Sequence, residues 1–205
     1  MLDRQMLAIT KPAVDAVASR LNALGINANQ ISITGFILGM LSAALIAHGN
    51  ILAAIAPLLL NRLLDGIDGA VARFAGPTDR GAFLDITLDF LFYAAVPLAF
   101  GFCDPERNAL AAATLLACFI GTGVTFLAFA IMAEKRGEKS TDYPSKSFYY
   151  LGGLAEGFET VVCFVAMCLW PEHFATIAYV YAAMCSVTTL TRLIAGWQRF
   201  GMPKS

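Results

Sequence analysis

The chain has 205 residues, of which 58% are hydrophobic and 14% are charged, and its formal net charge is −1. Soluble domains are roughly 45–50% apolar and about one quarter charged, so this composition indicates a protein that lies in a lipid bilayer. Nucleic-acid-binding domains usually carry an excess of basic residues, and this chain has no such excess. The five cysteines lie in apolar runs and form no metal-ligand spacing, so we interpret them as small hydrophobic residues.

The elements predicted from the sequence are all helical. Residues 3–22 carry apolar side chains at helical spacing with basic residues between them, which favours an amphipathic helix in the membrane interface over a soluble first helix. A membrane-spanning helix needs about 20 mostly apolar residues. Six further segments qualify: 30–47, 51–72, 82–102, 108–132, 148–169 and 174–198. We therefore predict an all-α integral membrane protein, with six transmembrane helices after an N-terminal amphipathic helix and residues 1–205 as a single domain.

Lysine and arginine are distributed unevenly over the predicted loops. With six spans, the termini and alternate loops share one side of the membrane, and the loops on the opposite side carry only Arg107. Positively charged loops remain in the cytoplasm, so the termini are predicted to be cytoplasmic. We expect a bacterial inner-membrane protein.

Residues 61–90 place five aspartates and three arginines in the second and third predicted spans and their junction. An ionisable residue at the centre of a membrane helix costs about 2.5–3.5 kcal/mol. Asp65 and Asp68 share one helix face, and Asp85 and Asp89 share another. A short turn joins the helices, so the two pairs should converge. Their mutual repulsion would be relieved by a hard divalent cation such as Mg²⁺, Mn²⁺ or Ca²⁺.

Small residues accompany the carboxylates. Gly69, Ala72 and Gly81 fall on the same helix faces, where they leave room for a bulky ligand or permit close helix packing. Arg73 lies at the end of this helix beside the face that carries the aspartates, and it could bind a phosphate group or contact lipid headgroups. Both pairs of interpretations remain open at this point.

These residues together form a longer pattern, Asp65-x2-Asp68-Gly69-x2-Ala72-Arg73-x7-Gly81-x3-Asp85-x3-Asp89. The pattern resembles the signature of the CDP-alcohol phosphotransferases. Seven residues separate Arg73 from Gly81, where eight are common in that family. A softer likeness is Ala28-Asn29-Gln30-Ile31-Ser32, which stands where many members have Pro-Asn-x-Ile-Thr.

The resemblance implies a reaction and a set of roles. The donor would be a CDP-linked lipid, with CDP-diacylglycerol expected, and transfer to a small alcohol acceptor would release CMP in phospholipid biosynthesis. Asp89 would also be the general base for the acceptor hydroxyl. Asn29 would contact the nucleotide, with helix capping as its alternative role. The resemblance further implies that two divalent cations, Mg²⁺ or Mn²⁺, are held by Asp65, Asp68, Asp85 and Asp89, that Gly69, Ala72 and Gly81 border the cytidine pocket, and that Arg73 contacts phosphate.

Charged residues outside this pattern are candidates for the acceptor pocket: Arg62, Lys146, Glu156, Glu159 and Arg192. A structural Glu–Arg pair across helices is the alternative. The basic residues favour a phosphorylated acceptor such as glycerol 3-phosphate, our first choice, or inositol phosphate. The glutamates favour a polyol or an amine-bearing acceptor such as serine.

Two further expectations concern assembly and the rival class of function. Gly35-x3-Gly39 permits either close helix packing or a dimer contact, and family members are often dimers, so a homodimer is expected. Clustered acidic residues within a membrane also occur in non-enzymatic cation-binding or transport proteins. Transporters often contain internal repeats, and no second copy of the aspartate pattern occurs here.

Overall fold

The computed structural model describes residues 2–137 and 153–201, with side chains from residue 11 onward. All regular structure in these ranges is helical, which agrees with the predicted fold class. A short 3-10 turn, Pro171–His173, precedes the last helix. The helices are α1 (Leu2–Ala23), α2 (Ala28–Ala47), α3 (Ile51–Ala75), α4 (Asp79–Cys103), α5 (Pro105–Arg136), α6 (Gly157–Leu169) and α7 (Phe174–Phe200).

Among the described residues, four segments are long and apolar enough to cross a membrane: α2, α4, α5, and α7 with the turn before it. Helix α3 has 25 residues, but its second half carries the charged residues of the aspartate pattern. Helix α6 has only 13 residues. The structure thus supports an all-α membrane protein, and the count of six spans stays a prediction.

The fifth predicted span, 148–169, differs most from the structure. Residues 148–152 lie outside the described ranges, and residues 153–156 are not helical. The hydroxyl of Thr188 accepts hydrogen bonds from the backbone N–H groups of Leu154 and Ala155, at 3.1 and 3.0 Å. A side chain of α7 therefore satisfies backbone donors that a longer α6 would have used, so the apolar run is only partly helical.

The start of α2 bears on one predicted site residue. Asn27 and Gln30 form a reciprocal capping box, with both side chain to backbone hydrogen bonds at 3.0 Å. The capping role considered for Asn29 is therefore wrong, since Asn27 is the cap. Asn29 lies in the first turn of α2, and its Oδ1 is 3.2 Å from where a methyl group on Gly81 would lie.

Two apolar cores hold the bundle together. The larger one has residues from every helix from α2 through α7 and includes the fully buried rings of Phe92, Phe100 and Phe164. The smaller one fixes α1 to α2 and α3, where Ala18 packs with Ile67 and neighbouring residues. Helix α1 thus binds the bundle through its apolar face, as expected for an amphipathic helix.

Helix α2 packs closely against both α3 and α4, which pack less closely against each other. A methyl group added to Gly39 would lie 2.6 Å from Phe92 Cδ2, and one added to Gly35 would lie 3.3 Å from Leu64 Cβ. Both glycines are buried. The Gly35-x3-Gly39 pattern therefore serves packing within one chain, and the homodimer stays a prediction.

Candidate metal and nucleotide site

Three carboxylates converge where α3 and α4 face each other. One oxygen from each of Asp65, Asp68 and Asp85 lies within 4.8 Å of the others. Asp68 is buried and Asp85 is exposed, so the cluster reaches from the interior to the surface. The structure thus brings together three of the four aspartates that were predicted to converge.

The donor set of this three-carboxylate cluster consists of oxygen atoms. Carboxylate oxygens are the ligands that Mg²⁺ and Mn²⁺ prefer, whereas zinc and copper favour histidine or cysteine. Three carboxylates at this separation also repel one another strongly in a low-dielectric setting, and a cation removes that repulsion. The residues present thus fit a hard divalent cation.

Helix α2 contributes a neutral hydrogen-bond donor to the cluster. The hydroxyl of Ser32 lies 2.5 Å from Asp68 Oδ2, and it is also 3.1 Å from the carbonyl of Ala28. Asp68 is only 4% exposed, so the hydroxyl is an important partner for it. Ser32 lies in the segment that resembles the family's second pattern.

Asp89 lines the same cavity as the other three aspartates but has a different partner. Its Oδ1 accepts a hydrogen bond from Arg62 Nη1 at 2.6 Å. The same Nη1 also donates to the hydroxyl of Tyr93 at 3.1 Å. Arg62, considered for the acceptor pocket, therefore forms an ion pair with the expected general base.

The residues expected at the nucleotide lie beside the cluster. A methyl group added to Gly69 would meet only Arg73 Nη1, at 3.8 Å, so this face of α3 is open. Arg73 is half-exposed and lies 3.5 Å from Asp15 of α1. Ala72 is partly buried one residue before it. The open helix face and the adjacent arginine leave space for a charged ligand.

Gly81 occupies a crowded position at the start of α4. A methyl group there would lie 3.0 Å from Thr78 Oγ1 and 3.2 Å from Asn29 Oδ1. Thr78 caps α4 by accepting the N–H of Gly81 at 3.1 Å. The backbone of α4 thus comes close to Asn29, and a side chain at position 81 would push Thr78 or Asn29 aside by a few tenths of an ångström.

The candidate acceptor residues occupy different settings. Lys146 lies outside the described residues. Glu156 immediately precedes α6, and its Oε1 accepts the N–H of Gly153 at 2.9 Å. Arg192 donates to the carbonyl of Thr122 at 3.1 Å. Glu159 Oε2 is buried without a hydrogen-bond partner among the described residues.

Sequence reasoning missed three contacts at this site. Tyr93 follows Asp89 by one helical turn, so its position on the same face could have been noticed. Ser32 belongs to the Ala28–Ser32 segment, but spacing along the chain does not indicate its contact with Asp68 on another helix. Asp15 gave no signal, because its partner Arg73 lies on another helix and depends on how α1 docks.

Comparisons with known proteins agree with this geometry. The CDP-alcohol phosphatidyltransferase family model matches residues 26–191. Inner membrane protein YnjF of Escherichia coli is 49% identical over 197 residues, which cover 96% of each chain. Archaetidylinositol phosphate synthase of Methanothermobacter thermautotrophicus is 28% identical over 204 residues, covering 95% of this chain and 94% of that protein.

Solved structures give the same fold. Phosphatidylinositol phosphate synthase of Mycobacterium tuberculosis with CDP-DAG bound has a TM-score of 0.71 at 22% identity, covering 90% of this chain and 93% of that one. The complex of the same enzyme with manganese and citrate also has a TM-score of 0.71 and 22% identity, over 90% of this chain and 88% of that one. With the family match over most of its length, the chain belongs to the CDP-alcohol phosphatidyltransferase family.

Proposed function

We propose that this protein transfers a phosphatidyl group from a CDP-linked lipid, CDP-diacylglycerol, to an alcohol acceptor and releases CMP. The observation that carries the proposal is the clustering of Asp65, Asp68 and Asp85 oxygens within 4.8 Å of one another in a cavity that Asp89 also lines. Membership of the family supports the reaction class. The M. tuberculosis structure with CDP-DAG bound supports the choice of donor.

Two divalent cations, Mg²⁺ or Mn²⁺, would be held by the four aspartates and would stabilise charge on the attacking and leaving oxygens. The oxygen donor set supports this, as does the manganese in a structure of the M. tuberculosis enzyme. Arg73, beside the open face at Gly69, would pair with phosphate oxygens of the donor.

Asp89 would accept the proton of the acceptor hydroxyl. The acceptor oxygen then bonds to the lipid-side phosphorus, the bond from that phosphorus to the CMP oxygen breaks, and CMP leaves as an anion. Asp89 has one oxygen engaged by Arg62, so its second oxygen is the one assigned to the proton.

The relatives favour a phosphorylated acceptor. Two archaetidylinositol phosphate synthases and a phosphatidylinositol phosphate synthase are similar to this chain, and each name specifies an inositol phosphate product. We therefore place inositol phosphate ahead of glycerol 3-phosphate, with serine and unphosphorylated polyols behind both. Lys146, Glu156, Glu159 and Arg192 remain the proposed acceptor residues.

The first test measures CMP release by the purified protein in lipid, with CDP-diacylglycerol, Mn²⁺ or Mg²⁺, and each acceptor in turn. We expect CMP with inositol phosphate and none after chelation of the metal. Asp89→Asn should lower turnover by at least about 10²-fold, as removal of a general base does. The matched control is Asp79→Asn, because Asp79 is exposed at the start of α4 and should leave the rate unchanged.

If no acceptor yields CMP and no CDP-lipid binds, the enzyme assignment fails. Cation flux into liposomes under those conditions would favour the transport alternative. A cation transporter would account for the clustered carboxylates but not for the open helix face beside Arg73.

A further inference from the structure

Arg73 lies in the last turn of α3, and its side chain extends back along the helix. Its Nη1 is 3.8 Å from the point where a methyl group on Gly69 would lie, and Gly69 is one helical turn earlier. Side chains of a helix point towards its N-terminus, which allows this path. The guanidinium group is thus beside the open face of α3 that the proposed function assigns to the donor.

The other end of the same guanidinium group meets a carboxylate of α1. Arg73 Nη2 lies 3.5 Å from Asp15 Oδ1, whereas Nη1 is on the side of Gly69. The side chains of Arg73 and Asp15 are 50% and 33% exposed, so a ligand can reach the guanidinium group. A guanidinium group carries five donors in a planar fork, so Asp15 can engage one nitrogen while the others serve a phosphate.

The packing of α1 on α3 fixes the place of Asp15. Ala18, one turn later on α1, is fully buried in the small core that also contains Ile67 and Val71 of α3. Val14, the neighbour of Asp15, packs against the same core. The carboxylate therefore projects from a part of α1 whose backbone is held against the helix that carries Arg73.

The ion pair between Asp15 and Arg73 is too exposed to contribute much to the stability of the fold, because water screens the two charges. Its larger effect is on the freedom of the arginine. Ordering a long side chain opposes ligand binding, and a contact that already restricts the side chain reduces this cost. Asp15 also repels an anionic ligand, but the guanidinium group would stand between the two anions and water screens the repulsion.

We propose that Asp15 is a positioning residue for the donor: it holds the guanidinium group of Arg73 beside Gly69, where the phosphates of the CDP-linked lipid bind. Helix α1 is thereby part of the donor site as well as an interfacial helix. This inference rests on the proposed function and adds a residue from outside the aspartate pattern. An ion pair that only fixed α1 to the bundle would affect nucleotide affinity equally with and without Arg73.

The first test titrates CDP, in the presence of Mn²⁺, into the wild type, Asp15→Asn, Arg73→Gln and the double variant. Asp15→Asn should weaken CDP binding by about two- to fivefold, the size expected of a solvent-accessible ion pair. Arg73→Gln should weaken it by about tenfold or more, through loss of charge-assisted hydrogen bonds to phosphate. In the Arg73→Gln background, Asp15→Asn should change the affinity by less than about 1.5-fold, because the two residues act as one unit.

Two further variants complete the titrations. Asp79→Asn is the matched control, since it removes the same charge from an exposed position at the start of α4 and should leave CDP affinity unchanged. Asp15→Glu keeps the carboxylate and should bind CDP within about twofold of the wild type. In the CMP-release assay, Asp15→Asn should raise KM for the CDP-lipid by about two- to fivefold and leave kcat within about twofold, because Asp15 acts on binding and not on the chemical step.

Equal weakening by Asp15→Asn with and without Arg73 would mean that Asp15 acts through the docking of α1, and would overturn the proposal. Unchanged or tighter CDP binding in Asp15→Asn would overturn it as well, since Asp15 would then be a bystander or a competitor of phosphate. Both results leave the proposed function intact when the wild type releases CMP. A wild type that binds CDP but releases no CMP with any acceptor overturns the proposed reaction, and the titrations still decide the role of Asp15. A wild type that binds no CDP overturns both.

Discussion

At the scale of single residues, Asp68 is the most enclosed member of the three-carboxylate cluster, and its hydroxyl partner Ser32 comes from a different helix. Hydrogen bonds behind a metal ligand fix the orientation of the ligand and are often as important as the ligand itself. Ser32 therefore acts on the site without being part of the aspartate pattern.

We expect Ser32→Ala to weaken Mn²⁺ binding by about 10- to 100-fold, because the carboxylate of Asp68 loses the donor that orients it. Titration calorimetry with Mn²⁺ measures the change. Thr34→Ala is the matched control, since the Thr34 hydroxyl donates to the carbonyl of Gln30 on the exposed side of the same helix. An unchanged Mn²⁺ affinity in Ser32→Ala would show that Asp68 needs no orienting partner.

The sequence predicted some of these residue positions and not others. Helical periodicity is enough to place Asp65 with Asp68 and Asp85 with Asp89, because it depends only on spacing along one helix. The ion pair between Arg62 and Asp89 depends on the depth and rotamer of a side chain facing another helix. No spacing rule contains that information.

At the scale of helices, the site depends on α2, which packs against both α3 and α4. The contact with α4 is made where Gly39 meets the ring of Phe92, and Phe92 also supports Arg62. Close packing of α2 against α4 therefore fixes the position of Phe92, which contacts Arg62 at the proposed site.

Gly39→Ala should lower the free energy of unfolding by about 1–3 kcal/mol, because the added methyl group would lie 2.6 Å from Phe92 Cδ2 in a buried contact. Thermal unfolding in detergent reports the change. Gly66→Ala is the control: nothing lies within 4 Å of the added methyl group, and alanine is the better helix former. If both variants unfold at the wild-type temperature, the α2–α4 contact is looser than described.

Hydropathy predicted where most helices lie, since long apolar runs in this chain are helices. It predicted too long a fifth span, because Gly153 and the residues after it pack against Thr188. A methyl group on Gly153 would lie 2.3 Å from Thr188 Cγ2, so only glycine permits this contact. A hydropathy average over neighbouring residues cannot predict such a contact, because the two residues are distant in sequence.

At the scale of the whole molecule, orientation in the membrane decides which compartment supplies the acceptor. The uneven distribution of lysine and arginine predicts cytoplasmic termini, with Arg107 alone on the opposite side. The aspartate pattern lies near the α3–α4 turn, which belongs to the same side as the termini in a six-span arrangement.

We therefore expect a C-terminal green fluorescent protein fusion to fluoresce in bacterial cells, and a C-terminal alkaline phosphatase fusion to be inactive. A phosphatase fused after residue 106 should instead be active, because the turn between α4 and α5 is predicted to face the opposite compartment. Active phosphatase at the C-terminus would contradict the predicted orientation, and it would also show an odd number of spans if the N-terminus is cytoplasmic.

The looser packing between α3 and α4 affects how much folded protein a cell retains. A cation bound by Asp65, Asp68 and Asp85 would act as a removable cross-link between two helices that rely on α2 to stay together. At a free concentration of about 100 times the dissociation constant, such binding adds about 2.7 kcal/mol to the folded state. Scarcity of metal would then reduce the amount of protein as well as its turnover, because proteases remove the opened chain.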